Sequence, residues 1–265
     1  MLAGGRQRIR RAAWGLVLLG ALLLGGFGLL EEVRFAAAQA VDAEELLRLA
    51  EAAFAAKQTF ADGLQAAELY KAVLERDPDN AHVLLRLAAL AYWLGQVAED
   101  EPALPYLEEG LRYAERAVEI DDTNADAHFW RGVLMGRIGE ERGILQSLFM
   151  VPDIMRAVER ALALNPNHDG AHLLASQVYR KAPGWPLSVG NRAKALEHAL
   201  EAVRLNPDAT SRWLNLAEAY LANRERGKAV EALRRVLEMP LTPGDEVLSQ
   251  RDKERAAQLL EELGQ

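Results

Sequence analysis

Two histidines four residues apart, His168 and His172, have the spacing best suited to chemistry in this chain. Side chains at that spacing share one face of a helix, so such a pair can bind a divalent metal ion. The chain has no cysteine, no His-Glu-x-x-His sequence, no phosphate-binding loop, no Gly-x-Ser-x-Gly turn and no Gly-x-Gly-x-x-Gly turn. We therefore expect no catalytic residue, no metal site and no cofactor, and we predict that the protein is not an enzyme.

Aromatic residues are the second candidate for function, since they recur along most of the chain. Most bulky residues in repeated helices fill the core between them, and this interpretation suits Trp213 and Tyr220. Apolar residues in connecting segments need another reason. We predict that such segments line or cover an apolar groove, in which the ligand- or partner-binding residues are Trp93, Tyr106, Trp130, Phe149, Trp185 and Leu187.

Four similar turns position these residues. They read Asp77-Pro78-Asp-Asn, Asp121-Asp122-Thr-Asn, Asn165-Pro166-Asn-His and Asn206-Pro207-Asp-Ala. We call Pro78, Asp122, Pro166 and Pro207 the anchors. They are 44, 44 and 41 residues apart, and a fixed period in this range is typical of a helical solenoid.

Residues at equal distances from the anchors belong to the same class. Ten residues after each anchor the side chain is small, which predicts a close approach of two helices. These residues are Ala88, Gly132, Ser176 and Ala217. Six residues after the third anchor stands His172, where the other units have Leu84, His128 and Trp213, so packing explains this histidine better than metal binding.

The last unit resembles a tetratricopeptide repeat, with Trp213, Leu216, Ala217, Tyr220, Ala229, Leu233 and Pro240 in the order of that family's pattern. The resemblance implies stacked helical hairpins and binding of other proteins. The earlier units are longer by about ten residues. The extra segments are 96–105, 140–150 and 182–191, each between the two helices of a unit, and they are expected at one edge of the solenoid.

The predicted fold is therefore all-α: an α-solenoid of tetratricopeptide-like hairpins with extended insertions between their helices. Its domains are an N-terminal signal or anchor at 1–40, a repeat array at 41–240 and a C-terminal capping helix at 241–265. Helices are predicted at about 42–57, 62–76, 80–95, 103–120, 124–139, 151–164, 169–181, 191–205, 209–223, 226–239 and 244–263.

The N-terminal segment predicts an export signal or a membrane anchor. Four arginines precede an uncharged stretch at 12–30, whose 19 residues span about 28 Å as a helix, close to the ~30 Å of a hydrocarbon core. An uncleaved helix in the inner membrane is favoured, and cleavage after Ala40 is the alternative. Either places the later residues on the extracytoplasmic, periplasmic side.

Charge argues against nucleic acid as a partner. The whole chain has a net charge of −8, and residues 1–40 contain five Arg and two Glu, which leaves a net charge of −11 for the other residues. An acidic surface repels phosphate backbones, so we expect no nucleic-acid binding.

Segments around Trp130, Pro152 and Trp185 resemble the T-component proteins of TRAP transporters, and the regulators of microtubule dynamics have a similar helical organisation. The resemblance covers residues 43–240 and implies an extracytoplasmic repeat protein beside a solute-binding protein. Two functions follow: a scaffold that binds a protein partner in the cell envelope, or a carrier that holds an apolar small molecule or lipid in a groove lined by the insertions.

Overall fold

The structure is a computed structural model that describes residues 42–98 and 102–265. In these ranges the chain forms eleven helices, which confirms the all-α prediction. We number them α1 (Ala43–Ala56), α2 (Phe60–Leu74), α3 (Ala81–Val97), α4 (Ala103–Ile120), α5 (Ala125–Arg142), α6 (Ile144–Leu164), α7 (Asp169–Lys181), α8 (Arg192–Leu205), α9 (Thr210–Ala222), α10 (Arg226–Glu238) and α11 (Glu246–Glu262).

The anchor turns set the starts of α3, α5 and α7. Two residues after each anchor, the side chain of Asn80, Asn124 or His168 accepts a hydrogen bond from a backbone N–H in the first turn of the helix. Such a cap satisfies one of the N–H groups that a helix start leaves without a partner. The equivalent residue before α9, Ala209, provides no side-chain cap.

Consecutive helices pack as five hairpins, α1–α2 through α9–α10, and α11 packs against the last of them. The small residues ten positions after the anchors are all buried, as the predicted close approach requires. At Gly132 an added Cβ would lie 3.3 Å from the Cβ of Ala157 in the partner helix α6. Small side chains therefore let the helices of a hairpin approach closely.

A layer of fully buried side chains runs between the hairpins from one end of the array to the other. Tyr70 and Leu90 lie in the first cluster, Leu134 and Ile138 in the middle and Leu233 near the C-terminal end. Each cluster combines side chains from two or more helices, so burial of apolar surface holds successive hairpins together.

The extra segments differ in conformation. Within 140–150 there is almost no loop, because α5 continues to Arg142 and α6 begins at Ile144. Gly143, with φ of 95°, makes the corner between them. Helix α6 therefore starts seven residues before its predicted start and contains Pro152, whereas 182–191 is irregular, with a single bridge between Gly184 and Gly190.

Candidate functional site

The first helices of the hairpins, α1, α3, α5, α7 and α9, border a cavity of about 1810 Å³. Residues four, seven, eight and eleven positions after every anchor line it. These spacings make one continuous stripe on a helix. We call this lining the inner wall; its residues eleven positions after the anchors are Ala89, Val133, Gln177 and Glu218.

The N-terminal part of the inner wall is aromatic. Tyr92 on α3 and Trp130 on α5 have ring centroids 5.9 Å apart, and Phe129 lies 5.0 Å from Trp130. Phe54 and Trp93 extend this surface to α1 and α3. An apolar side chain or an aliphatic chain entering the cavity would be desolvated against these rings.

Ion pairs connect neighbouring helices along the wall. Glu51 on α1 contacts Arg86 on α3 at 2.8 Å, and Glu140 on α5 contacts Lys181 on α7 at 2.5 Å. Desolvation raises the pKa of both glutamates, but hydrogen bonds and charges from their neighbours outweigh it, so the pKa of each is lowered. The carboxylates therefore stay charged at neutral pH.

Between α7 and α9, two reciprocal ion pairs form the same kind of connection. Arg180 on α7 contacts Glu218 on α9 at 2.6 Å, and Arg212 on α9 contacts Asp169 on α7 at 2.6 Å. The pKa of Asp169 is lowered because the Arg212 guanidinium outweighs desolvation. The C-terminal part of the wall is thus polar and charged, in contrast with the aromatic part.

Residues 242–252, which we call the closing segment, complete the ring of helices around the cavity. The buried Lys57 ammonium donates to the carbonyl of Gly244 at 2.9 Å, and Gln58 donates to Glu246 at 3.1 Å. Arg251 donates to the carbonyl of Gln96. The C-terminal end of the array therefore contacts its first two hairpins.

Apolar and acidic groups of the closing segment are partly buried at this contact. Val247 and Leu248 pack against the N-terminal apolar cluster. Burial raises the pKa of Asp245 to about 6, and burial likewise raises the pKa of Asp252, which accepts a hydrogen bond from Thr210 at 2.6 Å, to about 6. Burial lowers the pKa of the Lys57 ammonium. Desolvation at this contact therefore disfavours the charged form of both the acidic and the basic side chains.

The six residues predicted for binding fall into three places. Trp93 and Trp130 line the cavity. Tyr106 packs against Phe60, 5.3 Å between ring centroids, on the side of α2 and α4. The other three, Phe149, Trp185 and Leu187, are exposed and lie outside the cavity lining. A binding role for all six stays a prediction.

Sequence reasoning missed Phe54, Tyr92, Phe129 and the closing segment. A signal for the wall was present, because the residues four, seven, eight and eleven positions after the anchors form a helical stripe in all four units. Tyr92 and Phe129 stand at different distances from their anchors, so a search for one repeated aromatic position passes over them.

The two histidines of the candidate metal pair have separate partners. His168 accepts from the N–H of Ala171 and contacts Asp126 at 3.0 Å, while His172 contacts the carbonyl of Pro166 and the ring of His198. Over residues 42–98 and 102–265, no group of three or more His, Cys, Asp or Glu side chains is placed to hold a metal ion. Capping and packing account for both rings.

Two family models match the chain. The model described as Regulator of microtubule dynamics protein 1-3 matches residues 36–177, and a Tetratricopeptide repeat model matches residues 210–241. Neither description names a catalytic activity. The T-component resemblance stays a prediction, since the matched family is that of the microtubule regulators.

Curated relatives agree with the first model. Regulator of microtubule dynamics protein 1 of Bos taurus is 28% identical over 153 residues, 56% of this chain and 45% of that protein. Regulator of microtubule dynamics protein 3 of Bos taurus is 26% identical over 171 residues, 59% of this chain and 36% of that protein. The chain thus spans less than half the length of these relatives.

A solved structure confirms the fold. The crystal structure of a thermophilic TPR protein of Thermus thermophilus has a TM-score of 0.63 and 18% identity, and the match covers 83% of this chain and 99% of that one. The described chain is therefore an α-solenoid of tetratricopeptide-like hairpins.

The predicted location is wrong. The curated relatives are regulators of microtubule dynamics from cattle, whose cells have neither a periplasm nor a bacterial inner membrane, so a position on the periplasmic face is overturned. Residues 12–30 and the cleavage site at Ala40 lie outside the described residues. Among the helices that the structure describes, none has the length and apolarity to cross a bilayer.

Proposed function

The chain belongs to the family of regulators of microtubule dynamics proteins 1-3, and we propose that it is an interaction scaffold whose cavity binds an extended segment of another protein. The observation that carries this proposal is the inner wall. The same four positions of every unit contribute to one continuous surface, as expected of a repeat array that binds an elongated ligand across several units.

The two parts of the wall favour a ligand segment that carries both apolar and polar side chains. The aromatic part offers apolar contacts, and the ion-paired part between α7 and α9 offers charged and amide groups. An extended peptide carries alternating apolar and polar side chains along a polar backbone, so it can satisfy both parts at once. A folded domain would not fit within a cavity of about 1810 Å³.

A peptide selected from a displayed random library against the full chain provides the test. Gln177 lies on the cavity side of the α7–α8 hairpin, and Leu200 is partly exposed on α8, outside the cavity lining. We expect the bulky ring of Gln177→Trp to obstruct the inner wall at α7 and weaken peptide binding at least about tenfold, which is roughly 1.4 kcal/mol. Leu200→Trp should bind as the wild type does in titration calorimetry.

Two outcomes contradict the scaffold proposal. One is the failure of the selection to yield any peptide that binds the folded chain. The other is equal affinity of the wild type and the Gln177→Trp variant for the peptide. A peptide whose affinity does not change when the inner wall is obstructed binds elsewhere on the protein. Circular dichroism of both variants keeps a loss of binding separate from a loss of folding.

A second function is favoured by the closure of the ring. Because the closing segment contacts α1 and α3, the aromatic part of the wall borders a cavity surrounded by a ring of helices, which would suit a carrier of an apolar small molecule or lipid. Mass spectrometry of compounds retained by the purified chain separates the two functions. A carrier retains an apolar compound that Gln177→Trp displaces, whereas a scaffold is purified without one.

A further inference from the structure

Five large apolar side chains are far more exposed than any others in the described residues. They are Ile144, Leu145, Phe149, Trp185 and Leu187, with exposed fractions of 73–90%. The remaining exposed large apolar residues reach only 37–46%. Burial of such side chains is strongly favourable, so a cluster left in water calls for a covering surface.

These side chains belong to two neighbouring projections on one rim of the cavity. The first projection is the start of α6 at 144–149, and the second is the irregular segment 184–189; we call them the rim tips. The ends of α5 and α7 that precede them are joined by the Glu140–Lys181 ion pair. Ile144 in the first tip and Pro183, directly before the second, also line the same cavity, so both tips lie beside it.

The net charge of the sequence around the second tip is positive, whereas that of the whole chain is negative. Residues 180–194 contain four basic residues and no acidic one, whereas the whole chain has a net charge of −8. Arg180 and Lys181 pair with Glu218 and Glu140. In the part of the chain that the structure describes, Arg192 and Lys194 are exposed and have no carboxylate within salt-bridge distance.

The shape of the tips favours a fluid surface over a protein pocket. Trp185, at 90% exposed, and Leu187, at 83%, lie almost wholly in solvent, so neighbouring side chains of the described residues cover little of either. A bilayer accepts isolated apolar projections at the boundary between headgroups and acyl chains, where Trp is favoured and basic residues attract anionic lipids. More distant acidic residues contribute little, since salt screens charges beyond about 10 Å.

We propose that the rim tips form a lipid-binding edge. Trp185, Leu187 and Phe149 enter the headgroup boundary of an anionic bilayer, and Arg192 and Lys194 contact its phosphates. The cavity opening then faces the lipid surface. This surface is distinct from the inner wall, so it goes beyond the proposed binding of a protein segment.

The absence of cysteine from the sequence permits a test at a single labelled site. In the full chain, Leu187→Cys places a polarity-sensitive NBD fluorophore on the second tip, and Leu200→Cys places the same label on α8 as the matched control. Vesicles of phosphatidylcholine, with and without phosphatidylserine, are the probe. We expect the label at 187 to brighten severalfold and shift to the blue with phosphatidylserine, while the label at 200 changes little.

The labelled position keeps the test independent of other lipid contacts. If residues 12–30 brought the chain to vesicles while the tips stayed in water, the label at 187 would not respond, and the proposal would be overturned. An equal response at 187 and 200 would overturn it too. Lipid carrying a shallow spin-label quencher should quench the label at 187 alone.

Two further variants test whether the response depends on the basic residues of the second tip or on the cavity. With the label at 187, Arg192→Glu combined with Lys194→Glu should reduce the response to phosphatidylserine vesicles at least about tenfold, whereas Gln177→Trp, inside the cavity, should leave it unchanged. A response at 187 that instead appears without vesicles, together with a doubled mass by light scattering, would assign the tips to contact between two copies and contradict the proposal.

Discussion

The inner wall and the closing segment border the same cavity, but different forces hold them in place. Behind the inner wall lie fully buried side chains such as Leu134 and Ile138, shared between hairpins. The closing segment reaches α1 and α3 through a few polar contacts, of which Lys57 with Gly244 is the most buried, and through partly buried Val247 and Leu248. The wall should therefore be rigid, and the closing segment should open first.

The largest expected effect lies behind the wall. Leu134→Ala removes a fully buried side chain, and we expect the free energy of unfolding to fall by about 2–5 kcal/mol. Leu200→Ala, at a side chain 46% exposed, should change it by no more than about 0.5 kcal/mol. Urea denaturation measures both, and similar losses in the two variants would contradict the assigned core.

Gly63 on α2 tests how closely this helix packs against α3, which carries part of the inner wall. An added Cβ would lie 2.8 Å from the ring of Trp93 and 2.7 Å from Leu94, so Gly63→Ala should cost about 1–3 kcal/mol despite its better helix propensity. Gly227 on α10 has open space around it. Gly227→Ala should raise stability by up to about 1 kcal/mol, and thermal melts of the pair would show opposite signs.

Lys57→Met tests whether the closing segment opens separately from the wall. The variant leaves the Gly244 carbonyl without its donor, and we expect a loss of about 1 kcal/mol. Amide hydrogen exchange should speed up in 242–252 while the exchange of α5 stays unchanged. Lys228→Met provides the control, since this exposed residue contacts Glu225 and the Tyr220 ring within its own hairpin. Faster exchange throughout the chain would show that wall and closing segment unfold together.

An effect of similar size on the closing segment is expected from pH. The pKa of Asp245 is about 6 because burial opposes its charged form, although Lys57 and Arg212 partly offset this and Glu246 adds to it. The folded state then holds a proton that the unfolded state releases near its ordinary pKa of 3.8. Its contribution to stability is fully present below the unfolded pKa of 3.8 and is lost as pH rises through the folded pKa of about 6.

Asp245→Asn should remove this dependence and raise the free energy of unfolding at neutral pH by about 1 kcal/mol. Urea denaturation at about pH 5 and about pH 7.5 measures the difference between variant and wild type. The exposed Asp208→Asn is the control. If the difference between wild type and Asp245→Asn were the same at both pH values, the buried acid of the closing segment would not be ionising as described.

Much of the array could be predicted from the sequence, because local signals define it. Anchor turns with capping residues fix where α3, α5 and α7 begin, and the small residues ten positions later predict the close packing that Gly132 shows. Helix α6 was harder to predict. Its predicted start at 151 was wrong, since α6 includes two further turns before that residue, and Gly143 allows the corner directly after α5.

The site was less predictable, since it depends on the curvature of the whole array. No local pattern indicates that 242–252 returns to Lys57, which is 187 residues from its partner Gly244. The aromatic part of the wall combines Phe54, Tyr92 and Phe129, which stand at different positions in their units. Only the three-dimensional path of the superhelix brings them to one cavity.

Photocrosslinking of the selected peptide from two positions of the α7–α8 hairpin tests directly whether the inner wall binds a protein segment. A photoreactive phenylalanine analogue replaces Gln177 on the cavity side or Leu200 on α8. We expect a crosslink to the peptide from position 177 and none from position 200. A crosslink from position 200, with none from position 177, would contradict it.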